Sequence, residues 1–452
     1  MSTEVEEPPS GAADADVIAS EAAAVAAPDV IADSLGEYVK IWLARVRGGD
    51  SGALPVLLGL AAIVIYFQAR SSLFLSAGNL VNLMTQAAWI VLLGMAEVFV
   101  LLLGEIDLSI GYTSAIGATF TCWLLVPPNP WPWPIAVLVG LAVPAIFGGL
   151  EGLIITRLRL PSFVVTLAGQ LLALGLLLEV MDWAAPGSGG TIRLYSNVLS
   201  DIEGGAMSPL AGWIVMIAAV ALAGTLFVVR DSRRRASNLA APPASVTALK
   251  IVLMAVAGVV VVLIGNTNRG VAVAVRGVPW VVLLILVVVV AYSFLLGRTR
   301  FGRYMYAIGG NAEAARRAGI NLSRIRVAAF VLAGLTAGIM GIVYASYLGS
   351  VSTNVPGGQN VLYAVAAAVI GGTSLFGGRG KMLGAVLGGS SSPSSTTAWN
   401  CSGWAPPPST CGPRPSCSPP SPSTRWPGAA GQLHKIINPE RAVVHALATV
   451  GR

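Results

Sequence analysis

The stretch Gly309-Gly310-Asn311-Ala312-Glu313-Ala314-Ala315-Arg316-Arg317-Ala318-Gly319-Ile320-Asn321 is a polar island between two apolar runs, residues 278–296 and 326–347. A helix of about 20 mostly apolar residues crosses a hydrocarbon core about 30 Å thick, and each flanking run is close to that length. The island therefore reads as a segment held outside a membrane. Ala314 and Ala315 favour helix, and Gly319 can end one in a left-handed conformation. Arg316 and Arg317 would then sit in the last turn, where cations are favoured. Two readings are open: a handle gripped by a separate motor, or a solvated turn whose arginines merely hold it inside.

The same alternation continues outward. The chain is 55% hydrophobic and 11% charged over 452 residues, with a mean hydropathy of +0.75, whereas soluble domains carry about 25% charged residues. Apolar runs recur at 53–69, 80–103, 108–126, 134–156, 162–182, 209–229, 247–265, 278–296, 326–347 and 359–376. They predict an all-α polytopic membrane protein with about ten transmembrane helices, the weak third run being compatible with a re-entrant segment. With the N-terminus inside, the inside segments carry 19 Lys and Arg, and the outside loops carry only Arg70, Arg193, Arg269 and Arg276. Shifting the frame by one span destroys this bias, so the N-terminus is expected in the cytoplasm. The net charge of +7 lies mostly in short loops beside apolar runs and does not point to nucleic acid. Residues 1–50 read as a disordered cytoplasmic tail with a juxtamembrane segment. They lack the basic n-region of a signal peptide.

The second run ends in Gly104-Glu105-Ile106-Asp107-Leu108-Ser109-Ile110-Gly111. Carboxylates at membrane depth are costly unless they face a cavity or a partner. The segment is therefore either a helix break beside a translocation path or an interfacial loop with solvated acids. Glu105, Asp107, Ser109, Thr166 and Gln170 are the candidate path residues, on polarity within apolar runs, with helix packing the competing reading of each. Gly148-x3-Gly152 and Gly334-x3-Gly338 permit close helix crossings. The nearest approach to a nucleotide-binding loop, Gly377-Gly378-Arg379-Gly380-Lys381-Met382, lacks the first Gly and the final Ser or Thr. The two histidines, His434 and His445, lie in the C-terminal tail, and Cys122 is alone in an apolar run. No catalytic, metal or cofactor site is expected, so a transporter would draw its energy from another subunit or an ion gradient.

Four separated motifs carry a resemblance. Gly104–Gly111 is similar to Gly-Gly-Ile-Asp-Leu-Ser-Val-Gly, and Leu160-Pro161-Ser162-Phe163-Val164-Val165-Thr166-Leu167 to Leu-Pro-x-Phe-x-x-Thr-Leu. Thr299-Arg300-Phe301-Gly302-Arg303 through Gly319-Ile320-Asn321 resembles a main cytoplasmic loop, and Ala368-Val369-Ile370-Gly371-Gly372-Thr373-Ser374-Leu375 a late membrane element. The family is the permease subunit of bacterial ABC importers for ribose, xylose and related monosaccharides, with a type II importer-like fold. The resemblance implies a permease homodimer in the bacterial inner membrane, two cytoplasmic ATPase subunits and a periplasmic or extracellular sugar-binding protein. It also implies a coupling element at Glu313, Ala314, Ala315, Arg316, Arg317 and Gly319, within loop 297–325. Glu105 departs from the family's second Gly. The extra run at 247–265, after the basic Arg230–Arg235 patch, resembles the xylose-type branch and points to a pentose. The competing class is an ion-coupled secondary carrier, which needs no such loop and usually shows membrane carboxylates and internal repeats, and no clear repeat is found; a structural scaffold without flux is the third.

The membrane domain is expected over residues 51–389. Residues 391–430 then contain 10 Ser and 10 Pro, and three of the four cysteines, Cys401, Cys411 and Cys417, lie there. Composition alone makes residues 390–452 a disordered low-complexity tail. The genetic code offers another account. UCN serine codons read one base earlier become Phe, Leu, Ile or Val codons, and cysteine and tryptophan codons become Leu, Met or Val. Ser391-Ser392-Pro393-Ser394-Ser395 then becomes an apolar stretch, as a frameshift near codon 389 would produce.

Overall fold

Helices make up nearly every regular element of the structure, a computed structural model describing residues 54–401 apart from 188, 238–241 and 271–273, together with Gly36 and Lys40. The expected N-terminal tail and juxtamembrane segment over residues 1–50, apart from Gly36 and Lys40, and residues 402–452 of the expected C-terminal tail lie outside the described residues. The helices are α1 (Leu54–Arg70), α2 (Ala77–Leu101), α3 (Ile110–Leu124), α4 (Trp133–Leu158), α5 (Ser162–Ala184), α6 (Asn197–Gly204) and α7 (Pro209–Ala236). They continue as α8 (Ala244–Asn266), α9 (Trp280–Arg298), α10 (Arg300–Gly310), α11 (Ala312–Arg317), α12 (Leu322–Leu348), α13 (Gly357–Ile370) and α14 (Met382–Cys401). Two three-residue strands, β1 (Thr191–Arg193) and β2 (Ser350–Ser352), pair antiparallel.

Among the described residues, seven helices are long and apolar enough to cross a membrane: α2, α4, α5, α7, α8, α9 and α12. The first, third and tenth expected runs form helices of 17, 15 and 14 residues. At 1.5 Å per residue these reach roughly 21–26 Å, short of a full hydrocarbon core. The tenth run stops early for a local reason. Gly372 takes φ +88°, and the Thr373 N–H returns to the Ala368 carbonyl, closing the helix in a Schellman turn. Helix α14, which the apolar runs did not predict, follows it.

α2 lies at the centre, with Leu92 through Leu102 almost completely buried. A helix apolar on every side requires neighbours on every side, and α12, α13 and α14 supply them. α4 and α12 cross with backbones in contact. A Cβ on Gly148 would stand 2.4 Å from the Phe330 carbonyl oxygen, and one on Gly334 2.1 Å from that of Pro144. The two small-residue motifs are thus the two faces of one crossing. α7 and α8 form a peripheral hairpin fastened by a 2.6 Å hydrogen bond from the Thr247 hydroxyl to Asp231.

Loops that the charge count assigns to one side meet one another. At the arginine-rich end Arg326 pairs with Glu105 at 2.8 Å, and the Tyr306 hydroxyl donates to the Gly380 carbonyl. At the opposite end β1 pairs with β2, the Met207 N–H donates to the Val278 carbonyl, and the Glu203 N–H donates to Ser346 Oγ.

Candidate functional site

The first constellation is the polar island. Asn311 takes an extended conformation (φ −156°, ψ 101°) and its side chain accepts the Ala314 N–H at 2.9 Å, so a residue that favours N-caps opens α11. Glu313 in the first turn pairs with Arg316 at 2.8 Å and Arg317 at 3.2 Å. Arg316, and then Arg317, hold its exposed carboxyl below the ordinary range. Gly319 ends the helix at φ +81°, with its N–H on the Arg316 carbonyl and the Ile320 N–H on that of Ala315. Ala315 is buried, whereas Glu313, Arg316 and Arg317 are exposed. The result is a capped, charged helical tip rooted by buried Ala315, with Ala312 and Ile320 packed against the same core.

The second constellation is the break after α2. Gly104, at φ +74°, turns the chain, and residues 105–109 run back into the protein before α3 begins. Glu105, where the resemblance expects Gly, pairs with Arg326, so its charge is compensated. Thr166 Oγ1 donates to the Ile106 carbonyl at 3.2 Å. The Asp107 N–H donates to Glu97 Oε1 at 3.3 Å. Ser109 Oγ lies 2.7 Å from Asp107 Oδ1 and 3.0 Å from Glu151 Oε2. A hydroxyl has one proton to donate, so both contacts are hydrogen bonds only when one carboxyl carries a proton.

Four of the five candidate path residues therefore stand together. Thr166 is 0% exposed, Ser109 1%, Asp107 2% and Glu105 9%. The reading of solvated interfacial acids fails, because the carboxyls are sealed inside the subunit. Gln170 is half-buried and lies one turn along α5, beside Gly358. Sequence reasoning missed Glu97 and Glu151, which complete the cluster from α2 and α4. The signal was present, since each is an acid inside an apolar run. Gly169 makes room for the second: a Cβ there would lie 1.9 Å from Glu151 Oε1. Among the described residues no group of three His, Cys, Asp or Glu is placed to hold a metal.

A family model described as branched-chain amino acid transport system / permease component matches residues 79–391, which includes both constellations. The chain belongs to this permease family. It is a membrane component of a transporter and not an enzyme. The permease is 35% identical over 356 residues to the xylose transport system permease protein XylH of Escherichia coli K12, covering 75% of this chain and 85% of that one. It is 32% identical over 339 residues to XylH of Haemophilus influenzae, covering 74% and 85%. The ribose import permease protein RbsC of Escherichia coli K12 is 27% identical over 352 residues, covering 78% and 84%. No solved structure matches the permease.

Proposed function

We propose that this permease is the membrane-spanning subunit of an ATP-driven importer for a monosaccharide, a pentose such as xylose. The similarity to xylose permeases across most of both chains carries the reading. In it two copies form the path through the bacterial inner membrane, cytoplasmic ATPase subunits grip α11, and an external sugar-binding protein delivers the sugar. The exposed, capped geometry of α11 supports its role as the handle, with Glu313, Ala314, Ala315, Arg316, Arg317 and Gly319 as the coupling residues. The 19-to-4 charge count supports a cytoplasmic N-terminus and a cytoplasmic α11. About ten membrane-embedded helices, some short, fit a type II importer-like arrangement.

The buried acids shape the path from behind. Glu105, Asp107, Ser109 and Thr166, with Glu97 and Glu151, fix the break between α2 and α3, and Gln170, only half-buried, is the candidate most accessible to a sugar. The end of the family match at 391 and the Ser/Pro composition beyond it support a frameshifted tail.

Co-expression with the ATPase subunit of a xylose-type importer tests the handle. The ATPase is expected to co-purify with the parent permease and to be lost with Glu313→Arg, which reverses the charge between the two arginines. Radiolabelled xylose uptake by the complete set of subunits tests the substrate. Uptake that survives ATPase deletion but collapses with the proton gradient would instead identify an ion-coupled carrier.

A further inference from the structure

A groove of about 620 Å³ opens at the arginine-rich end, between the last turns of α4 and α9 and the first turns of α10 and α12. Its volume falls within the about 300–1,000 Å³ of small-molecule sites. Seven of its eleven lining residues are apolar, and Leu153, Leu295, Phe301, Val327, Val331 and Leu332 form most of the wall. Arg157, Arg324, Ser323 and Thr156 supply its polar lining.

Arg157 and Arg324 are both exposed, and among the described residues neither has a counter-ion. Arg324 lies in the first turn of α12, which carries no acidic residue, so a cation faces the positive end of a 27-residue helix. Arg326, two residues on, has Glu105 as its counter-ion, and Arg316 and Arg317 share Glu313. Among the described residues neither the Arg324 nor the Arg157 side chain has an ion-pair or hydrogen-bond partner. The positive-inside tendency accounts for arginines at this end. It does not account for two of them lining an apolar groove beside a helix N-terminus.

We infer that the groove binds one anionic phospholipid, its phosphate held by Arg157 and Arg324 beside the first turn of α12, whose Arg324 N–H is already capped by Asn321 Oδ1, and an acyl chain along the wall from Phe301 to Leu332. Free phosphate matches the charge but leaves seven apolar residues in water. A bilayer lipid satisfies both. Leu153 on the wall, and Leu158 and Phe294 next in sequence to the lining residues Arg157 and Leu295, are exposed apolar side chains, which fits entry from a bilayer. The assignment to the cytoplasmic leaflet rests on the proposed orientation; the binding itself does not. α12 follows α11 after only Ala318–Asn321, so an occupied groove braces the base of the ATPase handle.

The test uses the full-length permease in detergent, titrated with dioleoyl-phosphatidylglycerol, dioleoyl-phosphatidylcholine or sodium phosphate, with native mass spectrometry and the thermal midpoint as readouts. The glycerol lipid is expected to bind and raise the midpoint, and the choline lipid to bind about tenfold or more weakly. The double variant Arg157→Gln/Arg324→Gln is expected to lose about thirtyfold in affinity for phosphatidylglycerol, with an unchanged midpoint in its absence. Val331→Trp, which fills the groove, keeps the arginines but should weaken both lipids. Equal binding of the two lipids, full competition by millimolar phosphate, or undiminished lipid binding by the double variant would each overturn the assignment. So would a Val331→Trp variant that alters dimerisation while leaving lipid binding intact, since the groove would then be an interface between copies. None of these readouts depends on sugar uptake or ATPase binding, so this site can fail while the importer reading stands.

Discussion

A methyl group on Gly148 has nowhere to go, because the Phe330 carbonyl oxygen stands 2.4 Å from where the carbon would be. Backbone cannot swing aside as a side-chain tip can, so Gly148→Ala should separate α4 from α12. Overpacking of this kind costs about 1–3 kcal/mol. Gly175, in the interior of α5, has no atom within 4 Å of the same position, and alanine there should stabilise by up to about 1 kcal/mol through helix propensity. Thermal midpoints of the purified permease should therefore move in opposite directions for the two substitutions. Glu203 poses a different problem. It lies on α6, outside the spanning helices, 8% exposed and with both carboxyl oxygens unpartnered. Burial pushes its pKa up to about 9, against about 4.3 for an unfolded chain. Between those values the folded protein keeps a proton that the unfolded chain releases. Its stabilising contribution is thus full below about pH 4.3, falls as pH rises through the window and is gone above about 9. The thermal midpoint should decline from pH 6 to pH 9 in the parent and decline less in Glu203→Gln. Parallel pH profiles would rule this account out.

Helix α11 is too short to persist on its own, since isolated helices under about 12 residues are marginal in water. Its order is built from local devices: the Asn311 cap, the Glu313 pairs, the left-handed Gly319 and the anchoring Ala315. Removing the cap costs about 1 kcal/mol, and a Cβ at a left-handed position about 1–2 kcal/mol. Asn311→Ala and Gly319→Ala should each weaken ATPase association by about tenfold, as read in a co-purification titration. The thermal midpoint should stay near the parent value, because the helix covers little of the core. A falling midpoint with intact ATPase binding would make α11 a structural brace instead of a handle.

For the molecule as a whole, the apolar runs located each of the seven described helices long and apolar enough to cross a membrane, because hydrophobic length is a local quantity, while the other three runs form shorter helices. They overestimated the run at 359–376, since a Schellman turn at Gly371-Gly372 interrupts apolar sequence without changing its hydropathy. The Gly148 and Gly334 motifs were visible one at a time, whereas their apposition required the tertiary structure. Likewise Glu105, Asp107, Ser109 and Thr166 stood out as polar residues in apolar sequence, but only folding brings Glu97 and Glu151 to them. The arginine groove had no sequence signature, because its walls come from four helices. The C-terminal region poses the reverse case, since sequence speaks there and the described residues nearly end. The apolar part of α14 runs from Met382 to Ser391, about 15 Å of helix, or half a hydrocarbon core. A membrane domain would continue that segment with apolar residues, and UCN serine codons read one base earlier would supply them from Ser391 onward. Sequencing the gene across codons 385–430 should show an open shifted frame containing at least one apolar run of about 20 residues. A chain repaired at that point should have a higher thermal midpoint than the present one, because α14 would then span the core. A shifted frame without such a run, or a repaired chain that is no more stable, would leave the Ser/Pro sequence as the permease's own.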